Sequence, residues 1–114
     1  MTSPINSESA RRFFRVDKFK VPAAARAEFL SRVRAIHAFL RTLPGFVNDF
    51  ILEQIRGPGA FNFVTIVIWR DKQSLASAKA AAMERHRAIG FDPAEFLRRL
   101  NIDSDFAIYA VASD

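Results

Sequence analysis

A chain of 114 residues, half of them apolar, with twelve Phe, one Trp, one Tyr and no Cys, is expected to form one domain. At this size roughly two-thirds of the unfolded surface is buried without covalent staples. The missing cysteines exclude a disulfide scaffold, a thiolate zinc site and a cysteine nucleophile, and His37 and His86 alone are too few for a histidine-rich metal centre, so no metal is expected. The net charge of +5 comes mostly from arginines spaced along helix faces and near helix C-termini, which reads as helix solvation and dipole complementation ahead of a nucleic-acid patch.

Residues 1–10 are polar, contain Pro4 and show no periodicity, so a flexible tail is expected there, with a single domain over residues 11–114. That start lacks the basic and apolar segments of a secretory signal, which makes the cytoplasm the expected compartment. Arg12 to Val21 alternates as a strand that Pro22 ends. Phe29, Val33, Ile36, Leu40 and Leu43 then draw one apolar stripe along a helix, stopped by Pro44 and Gly45. Phe46 to Ile55 reads as a second strand and Arg56 to Gly59 as a turn. Phe61 to Trp69 is the most β-prone run of the chain. An alanine-rich helix follows from about Ser74 to Ala88, ending at Gly90. Asp92, Pro93 and Glu95 start a short helix, with an Asp cap, Pro at the first helical position and Glu at the third. Asp105 to Ala112 closes the chain as a last strand. The longest apolar run, Val64 to Trp69 with Thr65 inside it, is far shorter than the ~20 residues a spanning helix needs, so no membrane association is expected.

Strand, helix, two strands, helix, short helix and strand make a split βαβ plan: an α+β, ferredoxin-like sandwich with a four-stranded antiparallel sheet and its helices on one face. Such a sheet should be apolar on the covered face only. The third strand departs from this, because Phe61, Phe63, Thr65, Val67 and Trp69 alternate with Asn62, Val64, Ile66 and Ile68. Leaving three β-branched residues in water would forgo roughly 2 kcal/mol each. A second copy of the sheet is the simplest cover, so a homodimer enclosing a shared barrel is expected, with Asn62, Val64, Ile66 and Ile68 at its interface.

Leu43-Pro44-Gly45-Phe46 before a strand, followed about 23 residues later by Trp69-Arg70-Asp71-Lys72-Gln73-Ser74-Leu75, resembles the antibiotic biosynthesis monooxygenase domain family of dimeric α+β barrel proteins. The resemblance spans about residues 11–112. It implies an oxidoreductase that oxidises a small aromatic or quinone-type substrate with dioxygen and no cofactor. In that branch an Asn, a Trp, a Tyr and an Arg line the pocket. Their positions fall on Thr65, Trp69, Leu75 and near Arg87, so the Trp is kept while Thr and Leu replace Asn and Tyr. The family's haem-degrading branch would place an Asn around Asp17 or Lys18, a Trp at Ala78 and a His at His86; only His86 matches, which points away from haem.

His86 follows Leu75, Ala78 and Ala82 on one helix face, so it reads either as a pocket base, with an ordinary imidazole pKa near 6.5, or as a core-edge histidine. Trp69 suits stacking on a flat ring or closing the core. Thr65 can donate to a substrate oxygen or serve only as a strand former, and Arg87 can hold an anionic oxygen or sit exposed at a helix end. His37 borders the stripe of the first helix. The small alanines of the second helix, with twelve Phe in the chain, suit a cavity for a flat apolar guest. Two rivals stand beside the enzyme: a non-catalytic dimer of the same fold that binds a small ligand, and an RNA-binding module, whose Gly-rich aromatic strand signature is missing here.

Overall fold

The computed structural model describes residues 11–113, so the expected tail over residues 1–10 lies outside the described residues. Strands β1 (Phe13–Lys20), β2 (Phe46–Glu53), β3 (Phe63–Trp69) and β4 (Asp103–Tyr109) form one antiparallel sheet in the order β2-β3-β1-β4. Helix α1 (Arg26–Leu40) joins β1 to β2, and α2 (Lys72–Ile89) with α3 (Pro93–Arg99) joins β3 to β4. This is the α+β, ferredoxin-like arrangement expected from the order of elements.

The element ends differ from the sequence expectation for local reasons. Helix α2 starts two residues earlier, at Lys72, because the Asp71 carboxylate accepts the Ser74 backbone N–H and so acts as its cap. Asp92 caps α3 in the same way through Glu95, with Pro93 at the first helical position as expected. Helix α1 ends at Leu40, yet single turns carry the chain on, and Leu43 still packs into the core. Strand β3 begins at Phe63, two residues later than expected. Asn62 keeps the ladder going, giving its backbone N–H to Phe19 and taking one from Gln54. Gly45 sits at φ +84°, and a Cβ built there would lie 2.1 Å from the Ser74 hydroxyl, so the absence of a side chain lets the loop press against the first turn of α2.

Registry divides the sheet into two unlike faces. Phe13, Arg15, Asp17 and Phe19 lie opposite Trp69, Val67, Thr65 and Phe63 and share the helix-covered face. Phe14, Val16 and Lys18 lie opposite Ile68, Ile66 and Val64 on the other face, beside Phe50 and Leu52 of β2 and Tyr109 of β4. There the β3 residues are half-buried, while Phe50, Leu52 and Tyr109 are each more than two-fifths exposed.

Candidate functional site

The layer between sheet and helices is not one continuous core. At the Phe63 end, Phe19, Val21, Phe29, Leu30, Val33, Phe63, Phe96 and Ile102 pack into a dense cluster, with Phe29 ring-to-ring against both Phe19 and Phe63. At the Trp69 end a thinner cluster of Val67, Trp69 and Ala78 packs with Leu40, Leu43, Phe46 and Leu75. Between them lies a cavity of about 330 Å³, at the lower end of the ~300–1,000 Å³ typical of ligand pockets. The gap has a sequence cause. Ala78 and Ala82 occupy the α2 face where larger side chains would reach the sheet, and Thr65 stands between Phe63 and Val67 on β3.

Four of the residues singled out from sequence, Thr65, Trp69, Leu75 and His86, line this cavity together. Trp69 is 2% exposed and meets Phe46 edge to face. Thr65 is buried in mid-strand. His86 packs edge-on against Phe91, which the left-handed Gly90 turn brings back by an N–H bond from Phe91 to the His86 carbonyl. The His86 Nδ1 is buried without a hydrogen-bond partner among the described residues. Burial, and secondarily the nearby Arg32 cation, lowers its pKa below the ordinary 6.5 and favours a neutral ring.

Arg87 is placed elsewhere. It is absent from the cavity lining, its side chain is 68% exposed, and it pairs with Glu84 one turn back on α2. Asn62 lies just before the start of β3, and its side-chain amide both donates to the Val21 carbonyl and accepts from the Val21 N–H, so its polar groups are engaged within this chain, just past the end of β1. Val64, Ile66 and Ile68 lie on the open face, where the alternation puts them.

The polar strip of the cavity was only partly visible beforehand. Arg15 and Asp17 reach it from β1, and the Arg15 Nε–H donates to Asp17 Oδ1 over 2.7 Å. Burial raises the Asp17 pKa above its ordinary value, against the opposing pull of Arg15 and His37. His37 reaches it from α1 and is 4% exposed. Its Nδ1 lies 2.7 Å from Asp49 Oδ2, and Arg41 grips the same carboxylate with two N–H bonds, at 3.1 and 2.8 Å. Burial pushes the Asp49 pKa up, but the bonds from Arg41 and His37 outweigh it, and the carboxylate is held below its usual range. The available signal was phase: Asp17 and Asp49 share a strand face with the inward residues Phe19 and Ile51, and charges in an inward register call for a partner or a ligand.

Among the described residues no group of three or more His, Cys, Asp or Glu could hold a metal ion, and no helix is long and apolar enough to cross a membrane. The family model for antibiotic biosynthesis monooxygenases matches residues 12–89. Among solved structures, SnoaB, a cofactor-independent oxygenase from Streptomyces nogalater, is 25% identical, with a TM-score of 0.67 over 92% of this chain and 97% of its own. A conserved protein from Methanosarcina mazei Go1 aligns with a TM-score of 0.66 at 14% identity, over 93% of this chain and 98% of its own. The haem-degrading protein Rv3592 from Mycobacterium tuberculosis aligns with a TM-score of 0.61 at 17% identity, over 92% and 96%. No curated protein matches the sequence.

Proposed function

The chain belongs to the antibiotic biosynthesis monooxygenase family, and from that premise we propose that it oxidises a flat, hydroxyl-bearing aromatic substrate with dioxygen and without a cofactor. The observation that carries this reading is the meeting of Thr65, Trp69, Leu75 and His86 on one cavity between the two cores. Trp69 and Leu75 supply flat and apolar walls, and Thr65 supplies a hydroxyl toward a substrate oxygen. The SnoaB likeness, at 25% identity, supports a cofactor-independent oxygenase.

The substrate's own π-system provides the electrons. Loss of the hydroxyl proton makes an electron-rich anion that reduces dioxygen. One oxygen atom enters the ring and becomes a carbonyl, and the other leaves as water with the hydroxyl proton and the displaced ring hydrogen. Four electrons pass from substrate to oxygen, giving a quinone. The protein contributes positioning and stabilisation of the anion. Two imidazoles on the cavity wall are candidates for receiving the proton, His86 and His37. The lowered pKa of His86 leaves it neutral and makes it a weaker base than an ordinary imidazole.

The open face of the sheet, with Val64, Ile66 and Ile68 at its centre, is the surface on which a second copy packs in this reading. Ile66→Lys should convert a dimer to a monomer of 12.9 kDa by sedimentation, and a wild type already monomeric at micromolar concentration would remove this part. Incubation with a dihydroxynaphthalene bearing its hydroxyls on different rings, with and without oxygen, tests the chemistry. Oxygen-dependent appearance of the quinone absorbance is expected. Saturable binding without turnover would favour the second reading, a ligand-binding member of the family, which the Thr at position 65 and Leu at position 75 support because neither supplies the amide or phenol of the oxygenase pattern.

A further inference from the structure

His37 is the most constrained polar group on the cavity wall. A buried imidazole that lines a cavity and commits Nδ1 to a carboxylate has Nε2 as its remaining polar atom, and among the described residues no protein group bonds to Nε2. The carboxylate is itself fixed. Asp49 projects from β2 with its side chain 8% exposed, and the Arg41 fork, just past the end of α1, holds both of its oxygens. Arg41 is half-exposed, so the chain of contacts runs from the cavity through His37 and Asp49 to the surface. His86 has no comparable support, since its Nδ1 is without a partner among the described residues and a cation, Arg32, lies nearby.

We infer that His37, oriented by Asp49 and Arg41, is the catalytic residue that takes the hydroxyl proton from the substrate at Nε2. This rests on the oxygenase reading above and deepens it, because it restricts the substrate to phenols and enols that present an ionisable hydroxyl toward the α1 side of the cavity. In the step the substrate O–H bond breaks, its electron pair stays on oxygen, and an N–H bond forms at Nε2. The resulting imidazolium is stabilised by the Asp49 carboxylate across the Nδ1–H bond, which also fixes the neutral ring in the tautomer with a free Nε2 lone pair. The other charged groups facing the cavity are Arg15 and Asp17 from β1, Arg32 from α1 and Lys79 from α2. The Arg15 cation, already bonded to Asp17, faces the same cavity from the sheet side.

Two measurements on the full chain test this. Nitrogen NMR of the histidine side chains should find neutral His37 protonated at Nδ1 with an unprotonated Nε2; the opposite tautomer overturns the proposal without reference to any substrate. The second uses His37→Asn, which keeps an N–H at the δ position for Asp49 and removes only the distal nitrogen. With the dihydroxynaphthalene as probe, kcat should fall at least tenfold, general-base removal typically giving about 10²–10⁴, while KM changes less than threefold. Asp49→Asn should lower kcat in the same direction, and free imidazole should restore part of the turnover of His37→Ala. A His37→Asn enzyme within twofold of wild type, with probe binding intact, overturns the assignment alone. A wild type that neither binds nor oxidises the probe overturns the oxygenase reading and this assignment with it.

Discussion

The two halves of the layer between sheet and helices are built from similar residues to different ends. Toward Phe63 the space is filled by interlocking phenylalanines, with Phe29 fully buried. Toward Trp69 the same layer has one buried aromatic anchor and small residues on α2, which open the cavity between the halves to Asp17, His37 and His86 while Phe19, Phe29 and Phe96 wall its other side. Dense packing holds the fold, and the thin half trades contacts for a pocket. Substitutions in the two halves should therefore separate stability from binding.

The largest effect is expected in the dense half. Phe63→Ala removes a fully buried ring that packs against Phe29 and lies outside the cavity lining, and should cost about 3–5 kcal/mol, read as a drop in the urea midpoint. Next comes the loop that seats the thin half. Gly45→Ala forces a Cβ against Ser74 at a positive φ and should cost more than about 1 kcal/mol, with weakened probe binding because Ser74 precedes the cavity residue Leu75. If binding is unchanged, the N-terminal turn of α2 does not set the cavity wall. Ala82→Phe should reverse the pattern by filling the cavity: probe affinity falls at least tenfold while the melting temperature holds or rises.

A smaller effect is set by pH. Because the His86 pKa is lowered by folding, the unfolded chain takes up its proton first as pH drops below the ordinary value of 6.5. This contribution to stability is complete above 6.5, declines as pH falls, and stops changing below the lowered folded value. Asp17 acts with the opposite sign at lower pH, since its raised folded pKa adds stability as pH falls through it toward 3.8. His86→Gln should remove only the first of these, flattening the midpoint of urea unfolding just below 6.5. The smallest effect is expected at Arg87, whose exposed pairing with Glu84 lies outside the cavity; Arg87→Ala should leave both binding and melting temperature unchanged.

Much of the architecture was legible because alternation and caps are local signals. The two sides of β3, the Asp92 and Pro93 helix start and the Gly90 stop are all readable from neighbouring residues. The apolar wall of the site was legible for the same reason: Leu75, Ala78, Ala82 and His86 share a helix face, and Trp69 is in phase with Thr65. The His37 and Asp49 pair was not, because it joins α1 to β2 across a register that no spacing in either element defines. Arg87 shows the converse. A position carried over from a family pattern can land one residue from the inward face, and next to His86 that single step turns the side chain to water.

The central claim, that the gap between the cores is a site for a flat hydroxylated ring, is tested most directly through Trp69, the only tryptophan in the chain. Titrating the protein anaerobically with the dihydroxynaphthalene should quench or shift its fluorescence saturably, and the response should be lost in Ala82→Phe. A tryptophan signal indifferent to the ligand, or quenched equally in the filled variant, would contradict the account.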